Sequence, residues 1–174
     1  MKTLIAACAL ALVLALPAGG AEAGSDTIPD TPNVAKELRC MALNLYFEAR
    51  GEPDTGMLAV GHVVMNRLAD PRFPDTVCGV VKQGGERVRH RCQFSWWCDG
   101  KSDVPQELDE WQRARTLARS VYWGRGVDPT QGATFYHADY VAPSWRHAFD
   151  RGPKIGQHIF YIAQLPRRDQ LAQR

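Results

Sequence analysis

Leu45-Tyr46-Phe47-Glu48-Ala49-Arg50-Gly51-Glu52-Pro53 is the stretch on which the reading of this chain turns. Upstream of it, Val34, Leu38, Met41 and Leu45 recur at helical spacing and form one apolar stripe. Leu43, Tyr46 and Phe47 add apolar bulk on the other side. The second half of a helix predicted over 34–50 is therefore apolar nearly all round, as a helix at the centre of a domain should be. Gly51 is a natural stop, and Arg50 in the last turn suits the helix dipole. Projection places Glu48 on the apolar stripe. An ionised carboxylate there is costly to bury, so its pKa should rise, as a general acid near neutral pH requires. The position also fits an end-of-helix Glu that turns to solvent or pairs with Arg50 or Arg67. Glu52 invites a paired-carboxylate reading, but Gly51 breaks the helix and Pro53 disfavours the α conformation at Glu52. Capping of the next helix explains Glu52 equally well.

Working outward, Pro53 suits the first turn of a second helix running to about Leu68. A Pro-rich turn (Asp70-Pro-Arg-Phe-Pro74) follows, and Asp75-Thr76 caps a short helix expected over Val77–Gln83. Residues 84–104 read as a loop. Pro105 to Trp123 reads as an amphipathic helix with Leu108, Trp111, Arg115, Ala118 and Tyr122 on one face, ended by Gly124. Ala133-Thr-Phe-Tyr-His137 and Gln157-His-Ile-Phe-Tyr-Ile162 read as strands with a turn-rich segment between them. Helices first and a small sheet later make an α+β layout.

The 174 residues begin with Lys2 and an apolar run from Leu4 to Pro17, followed by Ala21-Glu22-Ala23. This is the pattern of a removable export signal over 1–23. Cys8 sits in a lipobox-like context, but most of the apolar run follows it, which favours plain secretion. A polar leader over 24–33, a single domain over 34–165 and a polar tail over 166–174 complete the expected organisation. The net charge of +2 is too weak to argue for nucleic acid. No other apolar run is long enough to span a bilayer, so the mature chain is expected to have no membrane span.

The mature chain holds Cys40, Cys78, Cys92 and Cys98. In an exported protein four cysteines read as two disulfides, with three possible connectivities. The working expectation pairs Cys92 with Cys98 and Cys40 with Cys78. A four-Cys zinc site is the rival, and no C-x-x-C pair supports it. His137, Asp139 and His147 raise the thought of a metal-dependent amidase or peptidase, but their spacing fits no H-E-x-x-H or related pattern. His62, on the second helix, reads as structural.

The run Glu48-Ala49-Arg50-Gly51-Glu52-Pro53, followed by Ala59-Val60 and Val64-Met65-Asn66-Arg67, resembles the SleB/CwlJ cell-wall hydrolase family. Further matches come in order: Phe73-Pro74, Gln93-Phe94-Ser95, Asp128-Pro129-Thr130, Phe135-Tyr136, Ser144-Trp145 and Ile155-Gly156 with His158 and Phe160. The resemblance implies a lysozyme-like α+β domain that acts on the glycan strands of peptidoglycan. Separately, no cofactor or metal is expected, and a monomer is the working expectation. The resemblance makes Glu48 the catalytic acid of a lytic transglycosylase, or of a lysozyme-type hydrolase with the same acid. Gln93, Phe94, Ser95, Tyr136 and Trp145 become candidates for substrate binding. Arg50, Glu52, Asn66 and Arg67 become supporting residues, with an Arg–Glu52 pair expected to stiffen the turn behind Glu48. A non-catalytic peptidoglycan-binding module is the remaining alternative.

Overall fold

A computed structural model describes residues 31–85 and 91–163. The expected signal segment, most of the leader and the polar tail lie outside the described residues. Four helices, α1 (Pro32–Ala49), α2 (Asp54–Leu68), α3 (Val77–Val81) and α4 (Leu108–Tyr122), precede three strands, β1 (Phe135–Ala138), β2 (Asp150–Ile155) and β3 (His158–Ile162). The fold is α+β.

Helix α1 is the hub, packing against α2, α3 and α4. Thr31 caps its start by accepting the Val34 N–H at 3.4 Å, and Pro32 occupies the first turn. Leu38, Met41 and Leu45 are buried as the stripe requires, and so are Tyr46 and Ala49 on the flanks. The buried polar residues Glu37 and Asn44 on α1 each meet a partner distant in the chain. The Glu37 carboxylate accepts the Cys78 N–H at 2.9 Å, and the Asn44 carbonyl accepts from the Trp96 indole at 3.2 Å. A Cys40–Cys78 disulfide then locks α1 to α3.

Gly51 ends the helix at a φ of +83°, and the chain reverses into α2 through Pro53. Where α2 meets its neighbours, a Cβ on Gly61 would lie 3.1 Å from Val121 and 3.3 Å from Leu45, so glycine sets how closely three helices approach. This corrects the face expected for α4. Its buried residues are Ala114, Ala118 and Val121, small side chains that suit the tight crossing, while Leu108 is 75% exposed.

The sheet has the order β1-β3-β2, all antiparallel. Strand β2 falls in the segment expected to be turn-rich. It is an edge strand, largely exposed, with an irregularity between Arg151 and Lys154 around Gly152-Pro153. Proline is tolerated at an edge, where its missing N–H breaks no ladder, and such a strand lacks the apolar alternation that betrays strands in sequence. The β2–β3 hairpin turns on Gly156-Gln157, and Gly156 has a φ of +57°.

Glu52 clasps this hairpin. Its buried carboxylate accepts the Gln157 N–H at 3.2 Å, and a Cβ added at Gly156 would fall 1.8 Å from Glu52 Oε2. The turn behind α1 is thus pinned to the sheet that faces it. Gly156→Ala combines a positive φ with this clash, so it is expected to destabilise the protein by about 2 kcal/mol or more, read as the shift of a urea unfolding midpoint.

Candidate active site

Glu48 is the penultimate residue of α1, at the point where the buried helix opens onto a groove. The groove runs both ways from it. One arm is walled by Phe94, Tyr136, Trp145 and Tyr140, together with Gln93 and Ser95. The other passes Arg50, Ser95 and the segment from Asp99 to Gln106. Glu48, Phe47 and Ser95 border both arms.

The Glu48 carboxyl is half-buried and in no ion pair among the described residues. The Tyr136 hydroxyl donates to its Oε2 at 3.0 Å, and no described donor meets Oε1. Burial raises the Glu48 pKa above its ordinary 4.5. The Tyr136 hydrogen bond and the more distant Arg67 charge oppose that rise without cancelling it. Tyr136 is itself half-buried, and burial with the neighbouring Glu48 charge lifts its own pKa well above 10, so its hydroxyl keeps its proton to donate.

Arg67 lies beneath the groove at 1% exposure. Among the described residues it pairs directly with no carboxylate. Its Nε donates to the Thr134 carbonyl at 2.7 Å, and its guanidinium sits 5.3–5.5 Å from the ring centres of Phe73, Phe94 and Phe135. With the Gln93 amide turned to satisfy both groups, the Gln93 carbonyl accepts from Arg67 Nη1 and Nη2 at 3.3 and 3.0 Å. Burial pulls the Arg67 pKa down to about 10, which still leaves it cationic at neutral pH. A buried guanidinium thus organises three aromatic rings and one amide of the groove wall.

The expected pairing of an arginine with Glu52 is not found. Because Arg50 takes an extended conformation after the helix ends and Gly51 then reverses the chain, Arg50 and Glu52 leave on different sides. Arg50 pairs with Glu107 at 3.3 Å and donates to the Tyr46 hydroxyl at 3.2 Å, while Glu52 holds the hairpin. Asn66 also acts at a distance from the groove. Its amide reaches Asp128 at 2.9 Å and the Ala133 carbonyl at 3.0 Å, which fixes the approach to β1 and so the placement of Tyr136. His62 lies 3.9 Å from Asp128 in the same cluster, with its pKa lowered chiefly by burial.

All six groove residues expected from sequence therefore meet at one place: Glu48, Gln93, Phe94, Ser95, Tyr136 and Trp145. The Cys92–Cys98 disulfide closes the short loop that carries three of them, and Trp96 anchors that loop by stacking on Phe47 at 4.9 Å. Sequence reasoning matched His158 to the family but gave it no site role, although it lines the groove with its ring 5.1 Å from that of Tyr136, and it missed the charged segment 99–103. No motif marks that segment; only its attachment to the loop through Cys98 hints at its place. The metal-site reading of His137 and Asp139 finds both otherwise engaged. His137 Nε2 lies 3.0 Å from the Tyr161 hydroxyl, and Asp139 pairs with Lys154 at 2.6 Å. Among the described residues no three His, Cys, Asp or Glu side chains converge as ligands.

Residues 51–161 match the Cell Wall Hydrolase family. The chain belongs to that family. The match begins just after Glu48 and ends within β3. Among relatives of the family, the spore cortex-lytic enzyme of Halalkalibacterium halodurans is 35% identical over 125 residues, which are 71% of this chain and 34% of that protein. The spore cortex-lytic enzyme of Oceanobacillus iheyensis is 32% identical over 152 residues, 82% of this chain and 49% of that one. The chain thus spans between about a third and a half of these relatives. In contrast, it covers 99% of the solved catalytic domain of the germination-specific lytic transglycosylase SleB from Bacillus anthracis, with a TM-score of 0.57 and 28% identity over 77% of this chain. The catalytic domain of the Bacillus cereus SleB protein gives a TM-score of 0.56 at the same identity. The α+β fold shared with these family members is the lysozyme-like one.

The raised pKa of Glu48 has a consequence for stability. Between pH 4.5 and its folded pKa, the unfolded chain has released this proton and the folded protein has not. Rising pH across that window therefore favours unfolding. Glu48→Gln removes the penalty, so its melting temperature should lie above that of the native protein at neutral pH, and the gap should close below pH 4.5. A constant gap at all pH values would show that Glu48 ionises without cost.

Proposed function

We propose that this protein is an exported enzyme that cleaves the glycan strands of peptidoglycan as a lytic transglycosylase, with Glu48 as its general acid and base. The observation that carries this reading is the placing of Glu48. Its carboxyl stands at the junction of two groove arms, burial favours its protonated form, and one of its oxygens meets no donor among the described residues. The likeness to the SleB catalytic domains supports the reaction type, and the aromatic arm suits stacking on sugar rings.

In the first step the protonated Glu48 gives its proton to the glycosidic oxygen as the C1–O bond breaks. The carboxylate left behind is steadied by the Tyr136 hydroxyl and the Arg67 charge. In the second step it accepts the proton of the muramic acid 6-hydroxyl, whose oxygen closes onto C1 to leave a 1,6-anhydro end. The substrate supplies the nucleophile, so proximity replaces the second carboxylate that ordinary glycosidases need. Glu52 is not available for that role, because the hairpin occupies its carboxylate. Export is supported by the signal-like segment 1–23 and by the two disulfides, which persist in oxidising compartments.

Glu48→Gln should keep the fold and lower the rate of wall solubilisation by about 10²-fold or more. Mass spectrometry of the released fragments should find anhydro ends. Reducing ends would assign the same acid to a hydrolase instead, and an unchanged Gln variant would remove Glu48 from the chemistry. Tyr136→Phe deletes the hydrogen bond that favours the ionised form of Glu48, so the alkaline limb of the pH–rate profile should move to higher pH.

A further inference from the structure

The two arms of the groove differ in chemistry. Rings dominate one, whereas the other carries Arg50, Asp99, Lys101 and Asp103. Within the charged arm the pairing is uneven. Arg50 is engaged by Glu107 at 3.3 Å, and Lys101 by Asp99 at 3.8 Å. Asp103, half-buried, forms no hydrogen bond or ion pair with any described residue. Lys82 attracts it only at longer range, with its ammonium settled 4.1 Å from the centre of the Trp97 ring. Burial and the nearby Asp99 both disfavour the Asp103 charge. A neutral saccharide offers such a group hydroxyl donors, whose hydrogen bonds to it leave its negative charge unpaired. A cationic donor would supply the charge-assisted hydrogen bond it lacks.

We propose that the charged arm receives a primary ammonium group of the wall polymer beside the cleaved linkage, with Asp103 as its acceptor. This rests on the glycan-cleaving reading above and adds to it a preference for substrate bearing a free amine. Peptidoglycan offers that chemistry in two places, the diamino acid of a stem peptide and a glucosamine that has lost its acetyl group. The aromatic arm then holds neutral sugar rings, and the charged arm reads the substituent. Asp103 is a specificity residue, distinct from Glu48.

The test compares kcat/KM of the mature protein on native sacculi, on the same sacculi with every free amine acetylated, and on glycan strands stripped of stem peptides by an amidase. Acetylation should lower kcat/KM about tenfold or more. Asp103→Asn should lower the value on native sacculi by a similar factor and lose the response to acetylation. Asp103→Glu, which keeps the charge, should retain that response. Unchanged melting temperatures of both variants separate recognition from folding. Loss of the preference on stripped strands assigns the ammonium to the peptide. Retention there, abolished by acetylating those strands, assigns it to the sugar. Equal kcat/KM of the native protein on native and acetylated sacculi would overturn this proposal alone, as would an Asp103→Asn variant that still responds to acetylation. Absence of cleavage on every substrate would remove the underlying reading together with it.

Discussion

Holding a carboxyl group half out of water, without a cation against it, is the demand that organises this domain. Glu48 meets it because the second half of α1 is enclosed almost all round up to Ala49 and then stops. A helix continuing past Ala49 would carry Arg50 and Glu52 onward together. The reversal at Gly51 instead sends Arg50 toward Glu107 and Glu52 into the β2–β3 hairpin. Each charge near Glu48 is thereby given another partner or held at a distance. Arg67 is the clearest case: it is buried close enough to moderate the Glu48 pKa, yet its hydrogen bonds go to Thr134 and Gln93.

The groove is built against α1 by two separately tethered pieces. The sheet brings Tyr136 to Glu48, and Asn66 and Glu52 fix the sheet to the two ends of α2. The loop from Cys92 to Cys98 brings Gln93, Phe94 and Ser95, with its own disulfide and the Trp96 stack holding it on α1. Phe47, Trp96 and Cys92 border the groove arms, whereas the other tethering residues do not line them. The tethers act through the rigidity they give to Tyr136 and Phe94, which is how a precise site is usually supported.

Much of this was legible in the sequence because it is written in local pattern. The apolar stripe of α1, the stop at Gly51 and the strand-like run before Ile162 each signal their element within a few residues. The groove residues were legible through family motifs rather than through periodicity, which left Glu48 open between a solvated and a buried role. What stayed hidden depends on distant packing. Strand β2 is an exposed edge interrupted by Gly152-Pro153 and has no alternation to detect. The buried face of α4 is made of alanines and a valine because Gly61 draws α2 close, so hydrophobic bulk pointed to the wrong side. The ion-pair partner of Arg50 and the hydrogen-bond partners of Arg67 lie more than twenty residues away in the chain and could not be chosen by spacing.

The central claim is that Glu48 keeps its proton longer than an exposed glutamate does. A carbon-detected NMR titration of the Glu48 carboxyl, assigned by comparison with Glu48→Gln, measures this without recourse to activity. The account predicts a midpoint clearly above 4.5. A midpoint at or below that value would mean that the niche does not favour the acid form, and the role given to Glu48 would have to be abandoned.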